Sequence, residues 1–139
     1  MNLVLQVLAA AQALEKTGQR LFKRHGLTLA QFNVLNLLAD APDGRRASDL
    51  AQALIVDASN VTGLLKRMKA DDLVRERDNT ADRRQHVVGL TPKGRKSWQA
   101  ANREYRRSLQ AVESTLSAAE RQGMGRALQK MINAAADSL

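Results

Sequence analysis

Ser59, Asn60 and Thr62 crowd short polar side chains into one stretch, and Lys66 and Arg67 follow about a turn later. Short hydroxyl and amide groups donate and accept hydrogen bonds over a small reach. That suits base edges in a nucleic-acid groove or the phosphates that flank it. Lys66, Arg67 and Lys69 stand further along, where the phosphate backbone is the natural target. A second basic group follows: Arg75, Arg77, Arg83 and Arg84. Arginine at a hairpin tip can enter a narrow minor groove, whose negative potential attracts it. Asp82 beside Arg83 and Arg84 is unusual for a DNA contact, and its chemistry fits an ion pair that holds the arginines in position.

Other chemistries find little support. The chain has no cysteine, which excludes disulfides, thiolate metal sites and thiol redox sensing. No His, Asp or Glu group has metal-ligand spacing, and no activated nucleophile or paired catalytic carboxylate stands out. Neither an enzyme nor a cofactor is expected. The 139 residues carry a net charge of +8. That charge is concentrated between Arg45 and Arg107, with 15 Lys/Arg against 8 Asp/Glu, whereas the remainder has 7 against 6. A basic middle favours a polyanionic partner. No apolar run reaches the roughly 18 residues of a membrane helix. Residues 1–13 have the small-residue end of a signal peptide but no positive start, and Gln6 and Gln12 interrupt them. They read as a first helix, with the cytoplasm as the default location.

The elements that would position these groups follow from the pattern. Residues 3–23 read as a long helix ended by His25-Gly26. Thr28, with Gln31 three residues on, starts a second helix by a capping box, apolar enough through Phe32, Val34, Leu35, Leu37 and Leu38 to be largely buried. Residues 41–44, Ala-Pro-Asp-Gly, form a break. A short helix over 48–54 and one over 57–70 follow. Strands over 73–77 and 85–90 flank a polar loop, 78–84. Thr91-Pro92 caps a helix carrying Trp98, Ala101, Tyr105, Leu109, Val112 and Leu116 in one stripe. Ser117 with Glu120 opens a last helix, with Met124, Ala127, Leu128, Met131, Ile132 and Ala135 on one face.

Residues 47–66 carry a helix-turn-helix core. Leu50 and Leu54 sit one turn apart, Ala51 permits a close crossing, Val56 plugs the turn, and Val61 and Leu64 anchor the second helix. Asp57, Ala58, Ser59, Thr62, Gly63 and Lys66 then face outward, toward a major groove. Ile55 stands where many such motifs carry glycine, so the turn is expected to use ordinary dihedrals. The competing reading is a plain helical hairpin with Ser59 and Thr62 merely solvated, beside a charged surface loop that touches nothing.

The stretch Asp82-Arg83-Arg84-Gln85-His86-Val87-Val88-Gly89-Leu90-Thr91-Pro92-Lys93-Gly94 resembles the wing signature of the MarR family of transcriptional regulators. Residues 59–68 resemble its recognition helix, and Asp49-Leu50-Ala51 the start of the preceding one. Length and helix order agree over nearly the whole chain. The resemblance implies a mainly α fold with a small β-hairpin: a winged helix-turn-helix with long N- and C-terminal dimerisation helices. The chain is then one subunit, 1–139, with a DNA-binding lobe over 28–90 and helical dimerisation regions over 1–25 and 92–139. It implies a homodimer on palindromic duplex DNA, often a repressor relieved by a small anionic or phenolic ligand bound between the dimer helices and the lobe. Arg84 and Asp82 match the wing signature, and Ser59, Asn60 and Thr62 the base-reading face. His25 and Trp98 are candidates to line the ligand site, though a loop role for His25 and a core or dimer role for Trp98 are the commoner uses.

Gly63 departs from the arginine that many members carry, and weakens its helix by about 1 kcal/mol relative to alanine. Asp71-Asp72 replaces the usual glycine at that helix's end; aspartate can adopt the left-handed conformation at some cost. Both departures lean toward a second reading, a winged-helix adaptor for other proteins that no longer reads DNA sequence. The two terminal amphipathic helices favour a dimer independently of the family. Their apolar stripes would be buried against a twin, which also sets two recognition helices roughly 34–36 Å apart on DNA.

Overall fold

The computed structural model describes residues 2–54, 56–79, 81, 82 and 84–138. Its elements are α1 (Leu3–Arg24), α2 (Leu29–Ala39), α3 (Ala47–Leu54), α4 (Ala58–Ala70), β1 (Val74–Asp78), β2 (His86–Leu90), α5 (Pro92–Glu113) and α6 (Ala118–Asp137). This is the expected mainly α order with one hairpin. Ile55, expected to use ordinary turn dihedrals, lies outside the described residues, as does Arg83.

The chain divides into two compact units, Met1–Glu104 and Tyr105–Leu139. The first holds the core. Its α1 closes with paired backbone bonds, Leu27 N–H to Phe22 C=O (2.9 Å) and Gly26 N–H to Lys23 C=O (3.0 Å). These satisfy carbonyls that a helix end otherwise leaves open. The Thr28–Gln31 capping box then starts α2, and the short connection brings Phe22 and Phe32 into a stack, centroids 4.1 Å apart and 14° from parallel. Leu35, Leu38, Leu50, Val61, Met68 and Val88 complete a buried centre.

The helix-turn-helix core packs as the pattern predicts at Leu50, Ala51, Val61 and Leu64, all buried. Val56 is a correction: it does not plug the turn but stands 44% exposed. The turn is closed instead by the backbone, Val56 N–H donating to Ala51 C=O at 3.1 Å.

The strands pair antiparallel from Val74 opposite Leu90 to Asp78 opposite His86. Arg45 adds a third edge that the sequence reading lacked, exchanging backbone bonds with Val88 at 2.9 and 2.7 Å. Gly44 makes that approach possible, because at φ +82° an added Cβ would stand 2.8 Å from Val88 O.

The Thr91-Pro92-Lys93-Gly94 segment is a joint. Thr91 is buried; its hydroxyl donates to Asp72 C=O (2.5 Å) and accepts from Gly94 N–H (2.9 Å). A Cβ on Gly94 would fall 1.9 Å from Leu73 O. The signature glycine therefore permits backbone contact between the first turn of α5 and the start of the hairpin.

In the second unit, α5 stops at Glu113, so Leu116 lies in the turn before α6 rather than on the helix stripe, a second correction. The turn is closed by Thr115 N–H to Val112 C=O and Leu116 N–H to Glu113 C=O. The Ser117–Glu120 capping box opens α6 as expected.

Candidate nucleic-acid interface

Asp57 occupies the N-cap of α4 in extended conformation. One face of α4, through Val61, Leu64, Leu65 and Met68, is buried. The rest faces solvent, and the structure divides the candidate residues there into two groups. Ser59, Thr62 and Lys66 recur at helical spacing, all exposed. The Thr62 hydroxyl donates to Ala58 C=O at 3.0 Å, so outward it offers only lone pairs. That makes Thr62 an acceptor, matched to a base amino group rather than to a phosphate.

Asn60 and Arg67 sit apart from that stripe. They line an open, largely apolar cleft of about 300 Å³ with Ala30, Asn33, Val56 and Leu64. The Arg67 guanidinium lies over Gly63, 3.8 Å from where a Cβ would be. Lys69, expected on phosphate, instead forms an ion pair with Glu76 of β1 at 2.9 Å. That pair ties the recognition helix to the wing.

The wing tip is organised by side chains that the sequence reading passed over. Asn79 N–H donates to Gln85 C=O at 2.9 Å, and their side chains meet at 3.4 Å. The Asn79 carboxamide oxygen accepts from Ala81 N–H. Below them Asp78 pairs with His86 across the strands at 3.2 Å. Two Asn/Asp-type turns in a short polar loop were the available signal. Asp82 Oδ1 accepts from Arg84 N–H at 3.1 Å and lies 3.8 Å from Arg84 Nε. Among the described residues this carboxylate is the one ion-pair partner of Arg84, whose side chain is 95% exposed. Arg77 has another task, donating to Pro42 C=O at 2.9 Å.

The two ligand-site candidates are each engaged within the first unit. His25 Nε2 lies 2.6 Å from Glu104 Oε2, and Arg24 pairs with the same carboxylate. The His25 hydrogen bond, then that of Arg24, holds Glu104 below the usual carboxylate range. Trp98 Nε1 donates to Asn36 Oδ1 at 3.1 Å. Asp49 is likewise lowered by its hydrogen bonds from Arg46 at the start of α3. Among the described residues no group of His, Asp or Glu could hold a metal, and no helix is long and apolar enough to cross a membrane.

A helix packed through Leu50, Ala51, Val61 and Leu64 onto its predecessor, followed by a two-stranded wing, is a winged helix-turn-helix. Residues 25–85, nearly all of that lobe, match the model of the MarR family. The chain belongs to the MarR family. Among its relatives, the transcriptional activatory protein BadR of Rhodopseudomonas palustris is 36% identical over 100 residues, 70% of this chain and 57% of that protein. The homoprotocatechuate degradative operon repressor of Escherichia coli is 27% identical over 131 residues, 94% and 88% of the two chains. The fold is that of MepR from S. aureus in its DNA complex, with a TM-score of 0.86, 24% identity, and coverage of 96% and 98%. The relatives of this MarR-family chain are thus transcriptional regulators.

Proposed function

We propose that this chain acts as a homodimeric, sequence-specific regulator of transcription on palindromic duplex DNA in the cytoplasm, in the manner of a repressor. Ser59 and Thr62 of α4 face the major groove, Lys66 on the same stripe meets the phosphate backbone, Asn60 and Arg67 flank them, and Arg83 and Arg84 reach the adjacent minor groove with Asp82 positioning Arg84. The observation that carries the reading is the pairing of an exposed polar stripe on a well-anchored helix with an exposed arginine, Arg84, in the loop of the hairpin that follows. The dimer rests on a second observation. In Tyr105–Leu139 no described residue is buried, and a two-helix hairpin of that size cannot sustain itself without covering its apolar face. Leu3, Leu5 and Leu8 of α1 are also exposed. A second copy covers these faces.

In this reading a small anionic or phenolic ligand near His25 and Trp98 relieves repression; the E. coli relative is named as the repressor of a homoprotocatechuate degradative operon. Selection of bound sequences from random duplex DNA tests the whole reading. An enriched inverted repeat is expected. Equal binding to all duplexes, or none, would replace the reading with that of a protein-interaction adaptor.

A further inference from the structure

A second basic site lies on the face of the hairpin turned away from α4. Side chains alternate along a strand. Glu76 turns to Lys69 of α4, so Arg75 and Arg77 occupy the opposite face. There they line a cleft of about 90 Å³ together with Arg95 from the first turn of α5, Pro42 and Gly89. Gly89 stands opposite Arg75 in the ladder and adds no side chain to the cleft. Arg77 is anchored to Pro42 C=O. None of the described residues that line the cleft is acidic. Among the described residues no carboxylate forms an ion pair with Arg75, Arg77 or Arg95. Three guanidinium groups gathered without a counter-charge repel one another, and an anion between them would relieve that repulsion.

We propose that this cleft binds a small oxyanion, a carboxylate or phosphate group, held by the arginine forks of Arg75 and Arg95 beside Arg77. The volume corresponds to about three waters, at roughly 30 Å³ each. That admits such a group. Paired N–H donors of guanidinium suit these planar or tetrahedral anions. The cleft faces away from the helix proposed to read DNA, which favours a free anion over the duplex backbone. Occupancy would tie β1 to α5 and the 41–44 loop, fixing the angle of the wing.

The test is thermal unfolding of the full chain in sodium phosphate, and separately in sodium acetate, against sodium chloride at constant ionic strength. The arginine Nε–Hε NMR signals are followed in the same titrations. The wild type should show a saturable rise, about 5 °C at ten times the dissociation constant, with shifts confined to the signals of Arg75, Arg77 and Arg95. Arg75→Ala and Arg95→Gln should lose the rise, and Arg106→Ala, which does not line the cleft, should keep it. The phosphate and acetate arms identify which oxyanion fits. An equal rise in all variants would reduce the effect to general salting and overturn the proposal. So would a silent titration combined with a weaker, less salt-dependent duplex affinity in Arg75→Ala, which would make the cleft a DNA-backbone contact.

Discussion

Arg84 and Asp82 divide one task between them. Among the described residues Arg84 meets only the Asp82 carboxylate, which accepts from its backbone N–H and stands 3.8 Å from its Nε. Its removal should therefore leave folding alone, within the roughly 0.5 kcal/mol typical of surface changes. Arg84→Ala should weaken binding to the selected operator about tenfold, about 1.4 kcal/mol, read by fluorescence anisotropy at fixed salt. Asp82→Ala should cost less, since the charge remains and only its aim is lost. Unchanged affinity in Arg84→Ala would remove it from the interface. Lys66→Ala is expected to act differently, weakening all duplexes alike and lowering the salt slope by about 1. The adjacent Thr62, with its proton committed to Ala58 C=O, should govern discrimination more than strength.

The junctions between elements decide how firmly those residues are held. The recognition helix ends on Asp72 at φ +57°, with Leu73 N–H bonding Met68 C=O and Asp72 N–H bonding Lys69 C=O. Both flanking apolar residues, Met68 and Leu73, are buried. Glycine adopts that conformation without penalty, so Asp72→Gly should stabilise the protein by about 1 kcal/mol, measured by urea unfolding. Gly94→Ala should do the reverse and strongly, because its Cβ meets Leu73 O. Much of this was legible beforehand. Capping boxes at Thr28 and Ser117 are local hydrogen-bond chemistry, and the Asp72 corner follows from a helix ending before Leu73-Val74. The Arg45 edge and the Lys69–Glu76 pair were not legible, because both depend on contacts between elements distant in sequence. Val56 misled because its apolar character was read as burial, whereas a backbone bond closes that turn. Three carboxylates at such junctions, Asp49, Glu104 and Glu120, are held below their ordinary range. Their stabilisation is present above the unfolded-state value and is lost as pH falls through the lower folded-state value. Stability should thus decline on acidification below about pH 5, and Glu104→Gln should flatten part of that decline in urea melts taken from pH 6 to pH 3.

At the scale of the molecule the decisive fact is an uncovered surface. Helix α6 runs through twenty residues with none buried, and Ile132 and Met124 stand 60% and 49% exposed. On α1, Leu3 and Leu8 are 63% and 54% exposed. Single exposed leucines are ordinary, but apolar stripes repeated along two long helices are not. A second copy covering them would also set two wings and two recognition helices on one palindrome, which a monomer cannot do. Wild-type protein should therefore sediment as a dimer at micromolar concentration, and its operator affinity should depend on both half-sites. Ile132→Glu places a charge in the proposed contact. It should shift sedimentation to the monomer and lose the half-site coupling while keeping the fold of Met1–Glu104, checked by the near-ultraviolet signal of Trp98. A charge on the solvated side, Gln129→Glu, is the control and should remain dimeric. If the wild type is a monomer that binds a single half-site as tightly as the full palindrome, the dimer is wrong. The α1 and α6 faces would then require another partner.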